Sequence, residues 1–227
     1  MLDYRVSRGV FHPNFELSEL ERSLFREFED LLRLYNFQYL AVPEAVQTDI
    51  LKRQGVATNE QAYWLDGDHF LNGSAEQGIL GEFADRNVFP RRIYSFTHCF
   101  RREVGLEKLV RLKEFKKMEQ FIFCTEATWE HEFSLVLNNA REFLQRHNIE
   151  YRTVDVTKRD LGYHIKKVDI EIKTSTYGWV ESHSCTYFGT EQTARLNITG
   201  ANHTISNTGI ASPRILIPFI ERDLSGR

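Results

Sequence analysis

The sequence is poor in cysteine, with Cys99, Cys124 and Cys185 widely spaced in 227 residues and no CxxC pair among them. An odd, scattered set excludes a disulfide framework and points to reduced thiols in a cytoplasmic setting. No stretch approaches the ~20 consecutive apolar residues of a membrane span. The opening residues, MLDYRVSRGVFHPNFE, also lack the apolar core of a secretory signal. No membrane partner is therefore expected. Basic charge is not in excess either: 29 Lys and Arg face 32 Asp and Glu, for a formal net charge of −3. That balance offers no global positive field for gripping nucleic acid. His98, His131, His147, His164, His183 and His203 show no HxH or HxxxH spacing, so the simplest metal-binding patterns are missing. What is present is ordinary for a folded domain. At 41% hydrophobic, the chain can fill a core and is not a disordered polymer.

The first strong signal is Ser18-Glu19-Leu20-Glu21, which has the form of a capping box. Leu20, Leu24, Phe28, Leu31 and Leu32 then recur at helical spacing, and the helix is expected to end near Tyr35-Asn36. A strand is expected over 37–42, stopped by Pro43, which cannot donate to a sheet ladder. A second helix is expected over 127–147, burying Trp129, Phe133, Val136, Leu137, Ala140, Phe143 and Leu144. Short apolar or alternating runs at 92–96, 120–124, 151–156, 168–172 and 179–187 predict strands. Ser212 is placed to cap a last helix, with Pro213 at its first position and a kink or early stop at Pro218. With no repeat or linker-like tract, these elements predict one α+β domain over residues 1–227, built around a mainly antiparallel sheet.

Residues 97–118 hold seven basic side chains against three acidic ones, a local excess of +4. Two antiparallel strands are expected here, one ending at 99–103 and one restarting at 111–119, joined by a polar turn at Gly105. Alternation then sets Arg101 and Glu103 on one face of the first strand, and Arg111, Lys113 and Phe115 on one face of the second. A guanidinium fork can hold a phosphate or carboxylate bidentately, and Phe115 offers a plate for a stacked base. The plainer alternative is a solvated charged hairpin, which composition alone favours.

Phe100-Arg101-Arg102-Glu103, followed by Arg111-Leu112-Lys113-Glu114-Phe115, resembles motif 2 of the class II aminoacyl-tRNA synthetases, and most of all that of the seryl-tRNA synthetases. Gly73-Ser74-Ala75-Glu76 is similar to the seryl enzymes' Thr-Ala-Glu loop, with Ser for Thr. Glu181-Ser182-His183-Ser184-Cys185-Thr186-Tyr187-Phe188 resembles their Glu-Val-Ser-Ser-Cys-Ser-Asn-Phe strand, and the match continues from Gln192 to Asn197. The run from His203 to Arg214, HTISNTGIASPR, resembles motif 3, and the helix before Phe37 fits motif 1. The matches keep the family's order and spacing over nearly the whole chain.

The resemblance implies an antiparallel sheet flanked by helices, a homodimer formed through the motif 1 region, and ATP-dependent amino-acid activation. It places Arg101 between the ATP α-phosphate and the amino-acid carboxylate, Glu103 and Phe115 on the adenine, and Arg111 and Arg214 on the outer phosphates. Glu181, with Ser184, would bind the Mg²⁺ carried by ATP. Ser74, Glu76, Glu119 and Thr208 would surround a small, serine-like amino acid, while the plainer role for Glu119 is an ion pair with Lys116 or Lys117. Some relatives, including amino acid:carrier-protein ligases, hold zinc with Cys and Glu. Cys99, Glu119 and Cys185 raise that option, although isolated strand cysteines read as small core residues and zinc is not expected.

The chain also departs from the family. It starts almost at motif 1, so the helical arm with which seryl enzymes hold tRNA is not expected, and the hairpin between Glu103 and Arg111 is short. Asn207 and Pro213 replace glycines, and Lys113 stands where His is common. These departures favour a non-standard acceptor, either a carrier protein or a small molecule, over tRNA. A non-catalytic paralogue acting as a regulatory or sensor subunit is the alternative from a different class.

Overall fold

The computed structural model describes residues 9–54, 62–157 and 164–225, so part of the N-terminal stretch read for a signal lies outside the described residues. In chain order the elements are α1 (Phe15–Leu34), β1 (Gln38–Tyr39), β2 (Ala45–Gln47), α2 (Thr48–Gln54), β3 (Tyr63–Trp64), β4 (His69–Leu71), α3 (Ala75–Phe83), β5 (Asn87–Val88) and β6 (Arg91–Phe100). They continue with β7 (Glu114–Cys124), α4 (Trp129–Arg146), β8 (Tyr151–Asp155), β9 (Lys166–Thr174), β10 (Gly178–Gly189), α5 (Glu191–Arg195), β11 (Thr199–Gly200), β12 (His203–Ser212) and α6 (Ile217–Ser225).

Seven strands form the main sheet in the order β1-β6-β7-β12-β10-β9-β8, antiparallel throughout except for the short parallel pair of β1 with β6. One face packs on α1 and α4, where Phe28, Leu32, Phe143 and Leu144 meet Ile122, Ile205 and Ile210. On the other face α3 covers one end through Ile79 and Leu80, which pack with Phe121, Phe123 and Ile93. The rest of that face is left open as a cleft. β7 is buried from Lys117 onward, and only its last four residues, Phe121–Cys124, read as an unbroken apolar run.

Helix α1 starts one turn earlier than the capping box predicts. Asn14 is its N-cap and accepts from the Leu17 N–H at 2.9 Å, while the Ser18 hydroxyl donates back to the Asn14 carbonyl. Glu21, expected to close the box, is buried and bound elsewhere. The C-terminus falls where the sequence predicts: Asn36 takes φ 60°, and the Asn36 and Phe37 N–H groups return to the Arg33 and Leu32 carbonyls, as in a Schellman motif. The strand expected over 37–42 pairs only at Gln38–Tyr39, because Leu40 and Val42 turn away to pack beside α3.

The helix expected over 127–147 is α4, shorter by two residues at its start and one at its end, and the five predicted strands correspond to β6, β7, β8, β9 and β10, with β8 stopping one residue short of the expected 156. The hairpin differs. β6 ends at Phe100 and β7 starts at Glu114, so Arg101, Glu103, Arg111 and Lys113 lie in the connecting loop and not on strands. That loop turns at Gly105 (φ +80°) and is braced by Arg101 N–H to the Lys113 carbonyl and by Lys113 N–H to the Gly9 carbonyl.

The C-terminus differs as well. Ser212 is the last residue of β12 and caps no helix. A 3-10 turn, Arg214–Leu216, follows Pro213, and α6 begins at Ile217. Pro218 therefore sits in the first turn of α6, where a missing N–H costs little, and no kink results.

Two bulges matter for the site. Registers shift between Glu181 and His183 on β10, and between Thr208 and Ile210 on β12. The first turns Glu181 to the same face as Ser184, which strict alternation would separate. The second places Gly209 against α1: a Cβ there would lie 2.9 Å from the Phe28 Cζ and 3.1 Å from the Met118 carbonyl oxygen. Phe28 is fully buried against Phe143 and has nowhere to go. Gly209→Ala should lower stability by about 1–3 kcal/mol in urea unfolding, the cost of overpacking, and Phe28→Leu in that background should recover part of it. Unchanged stability would mean that Phe28 does not pack on the bulge.

Candidate active site

Two adjoining cavities, of about 420 and 80 Å³, occupy the open face of the sheet. Arg101, Lys117, Glu181 and Thr208 line both. The larger also takes in Ser74, Glu76, Glu119 and Ser184; the smaller takes in Glu103, Arg111, Phe115 and Arg214. The structure therefore brings together all eleven residues expected from the sequence. Ser74, Glu76 and Glu119 line only the larger cavity and Glu103, Arg111, Phe115 and Arg214 only the smaller, while Ser184, expected with the nucleotide's Mg²⁺, lines only the larger.

The larger cavity has an acidic floor with its own counter-charge. The Glu119 carboxylate, 2% exposed, accepts from the Ser206 hydroxyl at 2.7 Å and the Ser74 hydroxyl at 3.1 Å. Lys117 Nζ lies 2.5 Å from the same carboxylate and donates to Ser74 Oγ at 2.8 Å. The ion pair anticipated as the plainer role of Glu119 is thus formed, with Lys117. Lys116 points to the opposite face, as alternation requires.

Ser74 also caps α3, accepting the Glu76 N–H. Glu76, in the first turn of α3, accepts from Gln192 Nε2 at 2.9 Å, and Gln192 in turn accepts from Thr204. Burial, with the nearby Glu119 charge second, pushes the Glu76 carboxyl up to about 7.

The smaller cavity is cationic and aromatic. Arg101 directs Nε and Nη2 to the Gly73 carbonyl at 3.3 and 3.2 Å, and its guanidinium carbon sits 5.2 Å from the Phe115 ring centre. Arg214 donates to the Val110 carbonyl at 2.9 Å and to the Glu181 carbonyl at 2.7 Å, with the Glu181 carboxylate 4.0 Å away. Burial lowers the Arg214 pKa, and Glu181 opposes that shift. The helix N-terminus expected beside Arg214 is only the three-residue 3-10 turn that Arg214 itself begins. Arg111 pairs loosely with Glu103 at 3.6 Å.

Two groups belong to the site beyond the residues expected to bind substrate. Lys117 stands two residues from both Phe115 and Glu119 on β7, so extending the alternation from Phe115 finds it. The α3 cap was legible too, since Ser74-Ala75-Glu76-Gln77 has the S-x-x-Q form. Gln77 Oε1 accepts the Gly73 N–H at 2.8 Å, which braces the residue whose carbonyl Arg101 uses.

The three thiols are buried, and burial raises the pKa of each, Cys99 to about 11 and Cys124 to about 12, which makes them poor nucleophiles. Among the described residues no cluster of three or more His, Cys, Asp or Glu side chains could hold a metal ion. Among the described residues, too, no helix is long and apolar enough to cross a membrane.

This fold has counterparts of known identity. The serine–tRNA ligase of Deinococcus radiodurans is 32% identical over 226 residues, covering 89% of this chain and 53% of that protein. The solved seryl-tRNA synthetase of Pyrococcus horikoshii, complexed with ATP, superposes with a TM-score of 0.88 at 24% identity, covering 96% of this chain and 54% of that one. The cytoplasmic serine–tRNA ligase of Naegleria fowleri, in complex with AMP, gives 0.84 at 24% identity, over 93% of this chain and 55% of that one. The chain thus spans about half the length of the relatives it matches. Residues 66–218 match the model of the tRNA synthetase class II core domain (G, H, P, S and T), and the chain belongs to that family.

Proposed function

We propose that the chain is an amino-acid-activating core that binds ATP with Mg²⁺ and a serine-like small amino acid, forms the aminoacyl-adenylate and passes the aminoacyl group to tRNA. The single observation that carries this reading is the meeting of the two cavities at Arg101. A carboxylate entering from the acidic side and a phosphate entering from the cationic side reach the same guanidinium. A substrate carboxylate oxygen attacks the α-phosphorus, and the bond to the pyrophosphate oxygen breaks. Charge accumulates on the α-phosphoryl oxygens, where Arg101 neutralises it, so positioning and electrostatics do the work without a protein nucleophile.

Arg111 and Arg214 hold the outer phosphates, Glu103 accepts from the adenine amino group and Phe115 stacks on the ring. Glu181 and Ser184 share a face and present hard oxygen donors, which suit the Mg²⁺ that arrives with ATP. Glu119 and Glu76 receive the α-ammonium, and Ser74 and Thr208 the substrate's polar end. Such a site rejects analogues that leave these groups unpaired. The names of the relatives, and the ATP and AMP held by the two solved proteins, support this reading. Pairing of two copies through the α1 region belongs to the same proposal.

The relatives' activity favours tRNA as acceptor. A carrier-protein thiol or a small molecule is a second reading, supported by the net charge of −3, because RNA affinity rests heavily on phosphate neutralisation. Attachment of the labelled amino acid to tRNA or to a carrier protein separates the two. A regulatory paralogue is disfavoured because Arg101, Glu103, Phe115, Glu181 and Arg214 all line one cleft.

Pyrophosphate should exchange into ATP in the presence of serine or a similarly small amino acid, and no exchange with any of the twenty would overturn the proposal in favour of a sensor. Arg101→Ala should abolish exchange while leaving the melting temperature nearly unchanged, since the side chain's hydrogen bonds go to one carbonyl. A large loss of stability would make Arg101 structural.

Glu76 supplies a pH dependence. Its folded pKa of about 7 lies above the ordinary 4.5, so the native state holds the proton more tightly than the unfolded chain. Stability should therefore decline as pH rises from about 4.5 through 7, with the full penalty present above that. Glu76→Gln should remove that part of the slope, and urea curves at pH 5 and 8 that differ equally for both proteins would refute the assignment.

A further inference from the structure

We propose that Glu21, outside the cleft on α1, is a positioning residue that sets the nucleotide-side wall through Ser212 and Lys116; the inference rests on the function proposed above. Its carboxylate is 5% exposed, accepts the Ser212 hydroxyl through one oxygen and holds Lys116 Nζ at 2.5 Å through the other. Ser212 and Lys116 lie opposite each other in the β12–β7 ladder, so one carboxylate ties the ends of both strands to α1. Each end leads straight into the nucleotide side: Ser212 is followed by Pro213 and Arg214, and Lys116 is preceded by Phe115.

Packing alone does not hold this wall. Phe115 and Ser212 line the nucleotide-side cavity on one side and a separate cavity of about 210 Å³ on the other, which Glu21 and Lys116 also border. A wall with a hollow behind it can shift, and the Glu21 bonds hold it in place. An ion pair between a buried carboxylate and a partly exposed lysine is a weak source of stability, since desolvation and solvent screening offset most of its attraction. Geometric control of Arg214 and Phe115 is the role it suits. The amino-acid side lies further along β7, braced by its own Glu119, Lys117, Ser74 and Ser206 bonds, and does not depend on Glu21.

Steady-state pyrophosphate exchange on the whole chain tests this. Glu21→Ala should raise the KM for ATP by about ten- to a hundredfold, as misplacing binding groups by an ångström does, and leave the KM for the amino acid within about twofold. Glu21→Gln, which keeps the shape and an acceptor for Ser212, should fall between. Ser212→Ala, which keeps the Glu21–Lys116 pair, should raise the ATP KM in the same selective way, so it decides the matter if Glu21→Ala does not fold. A uniform loss of rate with both KM values unchanged, or equal rises in both, would overturn the positioning role and leave the proposed function standing. A wild-type chain inactive with every amino acid would overturn the function itself.

Discussion

Strand β7 has to satisfy three environments at once, and the rest of the molecule is arranged around that demand. Its even-numbered residues, Met118, Gln120, Ile122 and Cys124, face the helices α1 and α4. Phe121 and Phe123 face the small core under α3, and between that core and the loop the same odd face carries Phe115, Lys117 and Glu119 into the cleft. Period-two alternation makes this division possible without irregular backbone. The charged pair in the middle is tolerated because it is internally matched and hydrogen-bonded. Gln120, on the helix side, is likewise satisfied by Asn139, Asn207 and the Val136 carbonyl.

Much of this was legible in the sequence, for reasons that differ by element. The spacing of Leu24, Phe28, Leu31 and Leu32 identified α1, and its C-terminus was readable because Asn36 tolerates a left-handed conformation. Its start was misjudged: Ser18 and Glu21 satisfy a capping pattern, but Asn14 competes for the same role one turn earlier. Local pattern could not reveal that Glu21 has tertiary partners from strands far along the chain. The last helix failed for a related reason, since Ser212 is recruited into that contact and Pro213 follows a strand, not a cap.

The cleft shows the same division. Arg101, Glu103 and Arg111 were recognisable as a group from their motif, yet their expected positions on strands were wrong, because Gly9 and Val10 join the hairpin base and the ladder starts only at Glu114. The face shared by Glu181 and Ser184 depends on a bulge that no periodicity would supply. Lys117 was visible in principle, but it sat inside a run of charge that composition assigns to solvent.

The ladder between β7 and β12 has a bearing on how the molecule comes to be. Thr208 pairs opposite Glu119, and Ser212 opposite Lys116, although these partners are remote in the chain. Pairings of such high contact order carry a loop-closure cost that slows folding. A nascent chain that has not yet delivered β12 leaves β7 with one edge bare, a target for association with other chains.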